Sequence, residues 1–197
     1  IAQALQLRSM EALPRVPAYA SSIVSLWLLA AISAAAAAGS GFTAAQLGGV
    51  MLPLLPTVAW TAGLTAAGVA VLFLFRFAGF REAPVLRELL PVSGPERSLF
   101  VALSATAGIC EEIVFRGFLI HALTLATGSV TLALLLSSCV FGVVHAYQSP
   151  LGAVRAALLG ALLALPLVFH GSIVPAILAH TLIDILSGLW LARWLLR

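Results

Sequence analysis

Residues 99–125 read LFVALSATAGICEEIVFRGFLIHALTL, a run that is long and apolar enough to cross a lipid bilayer. The run nevertheless carries three charged side chains, those of Glu111, Glu112 and Arg116. A charge near the bilayer centre costs about 2.5–3.5 kcal/mol on insertion scales, so these side chains must be buried against partners or water. The stretch therefore predicts a membrane-spanning helix inside a bundle, and its charged residues are functional candidates.

The composition of the whole chain is that of an integral membrane protein. Of its 197 residues, 62% are hydrophobic and 9% are charged, and the mean hydropathy is +1.13. An ordinary soluble domain has roughly 25% charged residues. The net charge of +3 comes from dispersed arginines rather than from a basic patch, so nucleic acid is not an expected partner. We predict an all-α polytopic bundle of about six transmembrane helices, with residues 1–197 forming a single domain.

The six predicted spans are apolar runs at residues 18–38, 52–75, 99–125, 130–147, 151–169 and 173–196. Residues 76–98 interleave charged and apolar side chains, which predicts an interfacial connector; a solvated loop is the alternative. The fifth run has a stripe of small residues at four-residue spacing, which lets a neighbouring helix approach closely: Gly152, Ala156, Gly160 and Ala164. We interpret this stripe as a helix-packing surface and not as a functional site.

The positions of the arginines predict the orientation, because cytoplasmic flanks hold an excess of positive charge. On the six-span topology, one side of the membrane receives Arg8, Arg15, Arg76, Arg81, Arg87, Arg97, Arg155, Arg193 and Arg197. We therefore expect both termini and the connector at 76–98 on the cytoplasmic side. The use of Arg without Lys, with abundant Ala and Leu, indicates a prokaryotic cell membrane.

The ionisable residues placed well inside the spans form a short set: Glu111, Glu112, Arg116, His145, His180 and Asp184. Glu112 and Arg116 are four residues apart, so they face the same side of a helix and suit an ion pair. Glu111 is rotated by about 100° from Glu112 and is left as the reactive carboxylate. His180 and Asp184 are also four apart, so the aspartate either orients the imidazole or points with it at one substrate atom.

A carboxylate and a histidine in a cavity of low polarity suit the activation of water, which predicts hydrolysis. A second histidine could stabilise the oxyanion that forms when water adds to an amide carbonyl. The alternative is a buried ion-pair network that only fixes helix packing. The sequence has no His-Glu-x-x-His, no Gly-x-Ser-Gly and no second intramembrane Asp, so a catalytic site would depend on its glutamate.

Three motifs in this order resemble the CAAX protease and bacteriocin-processing family of abortive-infection-type membrane proteases. They are Glu-Glu-x-x-x-Arg at 111–116, Phe-x-x-x-His at 141–145 and His-x-x-x-Asn/Asp at 180–184. The resemblance covers residues 99–189 and extends to the type II CAAX prenyl endopeptidases. It implies an intramembrane glutamate endopeptidase that forms no covalent intermediate and needs no cofactor.

The resemblance also assigns roles to the residues. Glu111 with His145 would activate water, and His180 with Asp184 would support the oxyanion. The site would be shaped by Glu112, Arg116 and Phe141, whose ring can shield His145. Asp184 departs from the Asn of well-studied members, and an ionised Asp cannot donate a hydrogen bond, so it would orient His180 or be held protonated. Zinc bound by Glu111, His145, His180 and Asp184 is an alternative.

The sequence thus predicts an endopeptidase that acts on a membrane-associated peptide or protein from a cavity open to the cytoplasmic side. One alternative is a catalytically inactive membrane protein of the same fold that binds a partner, as an immunity protein would. The other is a proton-coupled carrier that uses the buried acids and histidines as a relay. The sequence selects neither a particular substrate nor an oligomeric state.

Overall fold

Helices make up almost all the regular structure in the computed structural model of this protein, which describes residues 14–80 and 84–192. In chain order the helices are α1 (Arg15–Gly39), α2 (Leu54–Phe77), α3 (Pro84–Glu88), α4 (Gly94–Glu111), α5 (Ile120–Thr127), α6 (Val130–Val144), α7 (Pro150–Leu163), α8 (Leu165–His170) and α9 (Val174–Ile185). Two π-helical segments, Glu112–Leu119 and Leu186–Leu191, continue α4 and α9. The described residues contain no strand, so the predicted all-α class is confirmed.

Five helical stretches among the described residues are long and apolar enough to cross a membrane: Arg15–Gly39, Leu54–Phe77, Gly94–Thr127, Pro150–His170 and Val174–Leu191. The fourth predicted span, at residues 130–147, corresponds to α6, an apolar helix of 15 residues, followed by a 3₁₀ turn at Ala146–Gln148. A span usually needs about 17–25 residues, so α6 is short for a full crossing by itself. The polytopic bundle is confirmed, with α6 as its shortest apolar member.

The helix boundaries follow local capping signals. The third span begins at Gly94 rather than near residue 99, because Ser93 and Glu96 form a capping box. Glu96 Oε2 accepts hydrogen bonds from the backbone N–H groups of Val92 and Ser93, at 2.7 and 3.0 Å. The span ends at Gly128, whose left-handed φ of 69° closes α5.

Small residues bring the site-bearing helices together. The predicted stripe on α7 is buried: Gly152, Ala156, Gly160 and Ala164. It packs against α6, where a Cβ on Gly142 would lie 2.6 Å from the carbonyl oxygen of Ala153. At the crossing of α4 and α9, a Cβ on Gly108 would collide with Thr181 Oγ1 and would lie 2.9 Å from the Ile177 carbonyl oxygen. The backbones of α4 and α9 are therefore in close contact one turn before the acidic pair.

A Gly108→Ala substitution is expected to destabilise the protein by about 1–3 kcal/mol, because the added methyl group has no room between α4 and α9. Gly63→Ala is the matched control, since a Cβ at Gly63 would meet nothing within 4 Å and alanine favours the helix. Thermal unfolding in detergent should separate the two variants. Equal unfolding temperatures for both variants would contradict the close crossing.

The connector predicted at 76–98 folds against the bundle over the part that the structure describes. Leu86, Leu89 and Leu90 line the internal cavity, and the Tyr19 hydroxyl donates a hydrogen bond to the Leu89 carbonyl. Four arginines used for the predicted orientation lie outside the described residues: Arg8, Arg81, Arg193 and Arg197. The cytoplasmic placement of both termini stays a prediction.

Candidate active site

A cavity of about 580 Å³ brings together the four residues predicted to be catalytic. Its wall contains Glu111, His145, His180 and Asp184. Further wall positions come from the beginning of α1, from residues 86–90, from α2, α4, α6, α7 and α9, from the 3₁₀ turn at Ala146–Gln148 and from the π-helical segment after α9. Many of the remaining wall side chains are leucines, so the polar groups occupy one part of a mainly apolar chamber.

The Glu112–Arg116 ion pair lies behind this wall. Arg116 Nη1 is 3.0 Å from Glu112 Oε1, and the two residues are 1% and 0% exposed. Arg116 Nη2 donates to the Gly160 carbonyl oxygen at 3.2 Å, and its Cζ lies 4.4 Å from the ring centroid of Phe141. The predicted ion pair is present, and Gly160 leaves space for the guanidinium because a Cβ there would approach Nη2 to 3.3 Å.

The charged pair lies in a π-helical segment, which the sequence did not predict. Glu112–Leu119 follows the α-helical Gly94–Glu111 without a break in the chain. A π-helix has one extra residue in its turn, and such segments are frequent at functional sites. Gly117 within it approaches the Leu47 backbone closely, since a Cβ there would lie 2.8 Å from the Leu47 carbonyl oxygen.

The group that orients His180 is Glu112, not Asp184. The His180 Nδ1–H donates to Glu112 Oε1 at 2.8 Å, whereas its Nε2 is 3.8 Å from Asp184 Oδ2. The second distance exceeds that of a direct hydrogen bond. The direct bond to the imidazole thus comes from Glu112, and the role of Asp184 stays a prediction. The close Gly108 crossing explains the difference, because it places the acidic pair of one helix opposite His180 of the other.

Glu111 has its ion-pair contact with His180 rather than with His145. Glu111 Oε2 lies 3.8 Å from His180 Nε2, the same separation that Asp184 Oδ2 has from this atom. Glu111 Oε2 is buried and has no hydrogen-bond partner among the described residues. The Nε2 atom of His180 thus faces two carboxylates at distances that suit a bridging water molecule.

His145 follows the last residue of α6. Its Nδ1–H donates to the Phe141 carbonyl oxygen at 2.8 Å, which leaves Nε2 as the acceptor nitrogen of a neutral ring. The imidazole centroid is 4.4 Å from that of Phe141, in agreement with the predicted shielding. His145 and Glu111 share the cavity wall without the direct ion-pair contact that Glu111 makes with His180.

Among residues 14–80 and 84–192, no group of three or more His, Cys, Asp or Glu side chains is arranged to hold a metal ion. His180 Nε2 lies 3.8 Å from both Glu111 Oε2 and Asp184 Oδ2, and Nδ1 is bonded to Glu112. Zinc ligation stays the alternative prediction, and the mechanism proposed below uses no cofactor.

Two features of the cavity wall were not predicted. Tyr19 is 2% exposed, packs edge-on against Phe100 at 5.8 Å and bonds to residue 89. One signal in the sequence indicated a polar contact here: a single tyrosine within an apolar span. A buried phenol usually needs a hydrogen-bond partner. The second feature is the pair Gln148 and Arg155, in which Arg155 Nη2 donates to Gln148 Oε1 at 3.0 Å. These residues are far from the charged stretch in sequence, and only folding brings them to it.

The region that contains all three motifs also matches a protein family. The model of the family described as type II CAAX prenyl endopeptidase Rce1-like matches residues 94–186. This part of the chain is similar to the Rce1-like family. The comparisons with curated proteins and with solved structures gave no match. The match and the apolar helices together support an integral membrane protein that is similar to CAAX proteases, and the predicted resemblance is confirmed.

Proposed function

We propose that this protein is an intramembrane endopeptidase that hydrolyses a peptide bond in a membrane-associated peptide or protein. The observation that carries the proposal is the buried Oε2 of Glu111, which has no hydrogen-bond partner among the described residues and lies 3.8 Å from His180 Nε2 on the wall of the cavity. A carboxylate in such a place can act as a general base on water. The Rce1-like match supports a protease at the level of the family.

In the proposed reaction, Glu111 takes a proton from a water molecule, and the oxygen of that water attacks the carbonyl carbon of the substrate. His145 Nε2 forms a second hydrogen bond to the water, because the Nδ1–H of this ring is already bonded to the Phe141 carbonyl oxygen. Glu111 then delivers its proton to the amine as the carbon–nitrogen bond breaks. The products are a free carboxylate and a free amine, so no co-reactant besides water is needed.

His180 is proposed to donate a hydrogen bond from Nε2 to the oxyanion. This role requires hydrogen on both ring nitrogens, and the carboxylates of Glu111, Glu112 and Asp184 balance the positive charge of that form. Glu112 is a positioning residue, because its bond to Nδ1 directs Nε2 toward the cavity. Asp184 is the counter-charge on the open side, where 36% of its side chain is exposed.

Membranes that contain the wild-type protein should release peptides that membranes with an inactive Glu111 variant do not release. Mass spectrometry of the released fraction would identify the substrate as well as test the proposal. Equal peptide release from both membranes would instead favour a partner-binding protein of the same fold. Proton-dependent solute flux in liposomes, without peptide release, would favour the carrier.

With a substrate identified in this way, His145→Ala and His180→Gln are each expected to lower kcat/KM by roughly 10²–10⁴-fold, because each removes a group that acts on water or on the oxyanion. His170→Ala is the matched control, since His170 is the exposed last residue of α8, outside the cavity wall. Rates should be measured in proteoliposomes at equal amounts of folded protein. Unchanged kcat/KM in both variants would contradict the roles assigned to these histidines.

A further inference from the structure

Tyr147 lies on the cavity wall next to His145 and has no role in the reaction proposed above. It belongs to the 3₁₀ turn at Ala146–Gln148, and its ring centroid is 6.1 Å from that of His145. Both residues line the cavity, and 59% of the tyrosine is exposed. A phenol in this position can contact a peptide that binds beside the attacking water.

A short chain of hydrogen bonds leaves the phenol O–H available as a donor. Arg155 Nη2 donates to Gln148 Oε1 at 3.0 Å, and this contact fixes the orientation of the amide, because a guanidinium only donates. The Gln148 amide N–H in turn donates to the Tyr147 hydroxyl oxygen at 3.4 Å. The O–H of Tyr147 has no acceptor among residues 14–80 and 84–192. The positive charge at the far end of the chain polarises this O–H toward donation.

The turn that carries Gln148 has a strained backbone. Ser149 has a φ of 152°, the one positive φ among the described non-glycine residues. Its Oγ accepts a hydrogen bond from the Gly152 N–H at 2.9 Å, and a Cβ on Gly152 would lie 2.8 Å from Gln148 Cβ. Strain of this kind persists where the surrounding structure holds it, and it is frequent at functional sites. Here the turn holds the Gln148 side chain between Arg155 and the Tyr147 hydroxyl.

Four other hydroxyl groups on the cavity wall are already bonded within the protein. Tyr19 donates to the Leu89 carbonyl oxygen, and three serines donate to carbonyl oxygens three or four residues earlier in the chain: Ser21, Ser104 and Ser187. A peptide that enters a mainly apolar chamber brings backbone carbonyls that lose their water, and each one left unpaired is costly. The O–H of Tyr147 can supply one of these missing hydrogen bonds.

The ring contacts indicate which carbonyl of the peptide this is. Tyr147 contacts His145, which is proposed to bind the attacking water. His180, which is proposed to bind the oxyanion, has its ring contact with Phe141 instead, at 6.1 Å. The carbonyl that reacts is therefore assigned to His180, and the phenol is left for a neighbouring carbonyl of the main chain.

We propose that the Tyr147 hydroxyl donates a hydrogen bond to a backbone carbonyl of the substrate, next to the bond that is cut, and thereby holds the main chain of the peptide in the cavity. This inference rests on the proposed function, since it adds a substrate contact to the same site. Tyr147 is a substrate-binding residue, and Gln148 is its positioning residue. Because the contact is with the backbone, it does not select a particular side chain.

The test uses a synthetic fluorescent peptide that spans the cleavage site found by mass spectrometry. Two analogues carry an ester in place of the amide immediately before or immediately after the bond that is cut, because an ester carbonyl is a weaker hydrogen-bond acceptor than an amide carbonyl. Binding to the full chain carrying Glu111→Gln, in lipid nanodiscs, is followed by fluorescence anisotropy. One of the two esters is expected to bind roughly three- to tenfold more weakly than the all-amide peptide.

Adding Tyr147→Phe should remove the advantage of the all-amide peptide over that ester. The ring stays, and the hydroxyl is bonded to the Gln148 amide alone among the described residues, so the fold should be retained. Tyr19→Phe is the matched control on the same wall, since its hydroxyl is bonded to the Leu89 carbonyl, and it should leave the amide–ester difference unchanged. Gln148→Leu should reduce the difference, and it provides a second variant should Tyr147→Phe fail to fold.

In the active protein, Tyr147→Phe is expected to raise KM by roughly three- to tenfold and to leave kcat within about twofold of wild type. The reason is that a hydrogen bond to a carbonyl that does not react stabilises the bound substrate and the transition state alike. A lower kcat with unchanged KM would place the O–H on the attacking water or on the oxyanion, and it would overturn the proposed contact.

Equal affinities of the all-amide peptide and both esters for the Glu111→Gln protein would also overturn the contact, and so would a difference that survives Tyr147→Phe. Each of these results is compatible with Glu111-dependent cleavage of membrane peptides, so the proposed function would stand. Absence of that cleavage would overturn the proposed function, and with it the role of Tyr147.

Discussion

Glu111→Gln is expected to lower kcat/KM for a peptide substrate by at least roughly 10²–10⁴-fold, the contribution typical of a general base. Gln has nearly the same shape as Glu but cannot accept a proton from water. Oε2 of Glu111 has no hydrogen-bond partner among the described residues, so the substitution breaks no hydrogen bond at this atom. The loss of activity should therefore come without loss of the fold.

The measurement compares cleavage rates in proteoliposomes with thermal unfolding of the same preparations. Glu88→Gln is the matched control, because Glu88 is an exposed glutamate at the end of α3 and is not part of the cavity wall. The control should retain wild-type activity and stability. A Glu111→Gln protein that cleaves its substrate at the wild-type rate would show that another group activates the water.

Arg116→Met is expected to destabilise the protein by about 3–5 kcal/mol, the usual cost of removing one partner of a buried ion pair. The substitution leaves Glu112, which is 0% exposed, without its guanidinium partner. It also removes the hydrogen bond to the Gly160 carbonyl and the contact with the Phe141 ring. Unfolding in detergent is the appropriate measurement, with Arg97→Met as an exposed control.

The double variant Glu112→Gln/Arg116→Met should be more stable than Arg116→Met alone. Gln in place of Glu112 removes the buried carboxylate that has lost its guanidinium partner and keeps an acceptor oxygen for His180 Nδ1–H. A single Arg116→Met change that costs less than about 1 kcal/mol would instead describe a weak, water-exposed pair. A double variant no more stable than the single one would show that the Glu112 carboxylate without its guanidinium is not the source of the loss.

Helical spacing predicted the contacts within one helix well. Glu112 and Arg116 are neighbours because residues four apart share a helix face, and the ion pair is present at 3.0 Å. The small-residue stripe on α7 is buried for a similarly local reason, since small side chains permit close helix packing. Hydropathy alone predicts the start of the third span near residue 99, whereas the capping box of Ser93 and Glu96 begins the helix at Gly94.

The partners of His180 could not be predicted in the same way. Asp184 was the obvious candidate from spacing, but Glu112 makes the direct bond from a different helix, at 2.8 Å. That contact depends on the position along the two helices at which α4 and α9 cross. Gly108 and the π-helical segment together determine this position. The pair Gln148 and Arg155 is likewise created by a strained turn rather than by a recognisable motif.

By itself, the amino-acid sequence determined the membrane class, the helical bundle and the set of ionisable residues, because the cost of exposing charge to lipid acts on every residue type directly. The tertiary structure alone decided which carboxylate orients which imidazole and where Arg155 faces the cavity. Those contacts depend on the rotation and relative height of helices distant in sequence, and a shift of one residue along a helix turns a side chain by about 100° to another face.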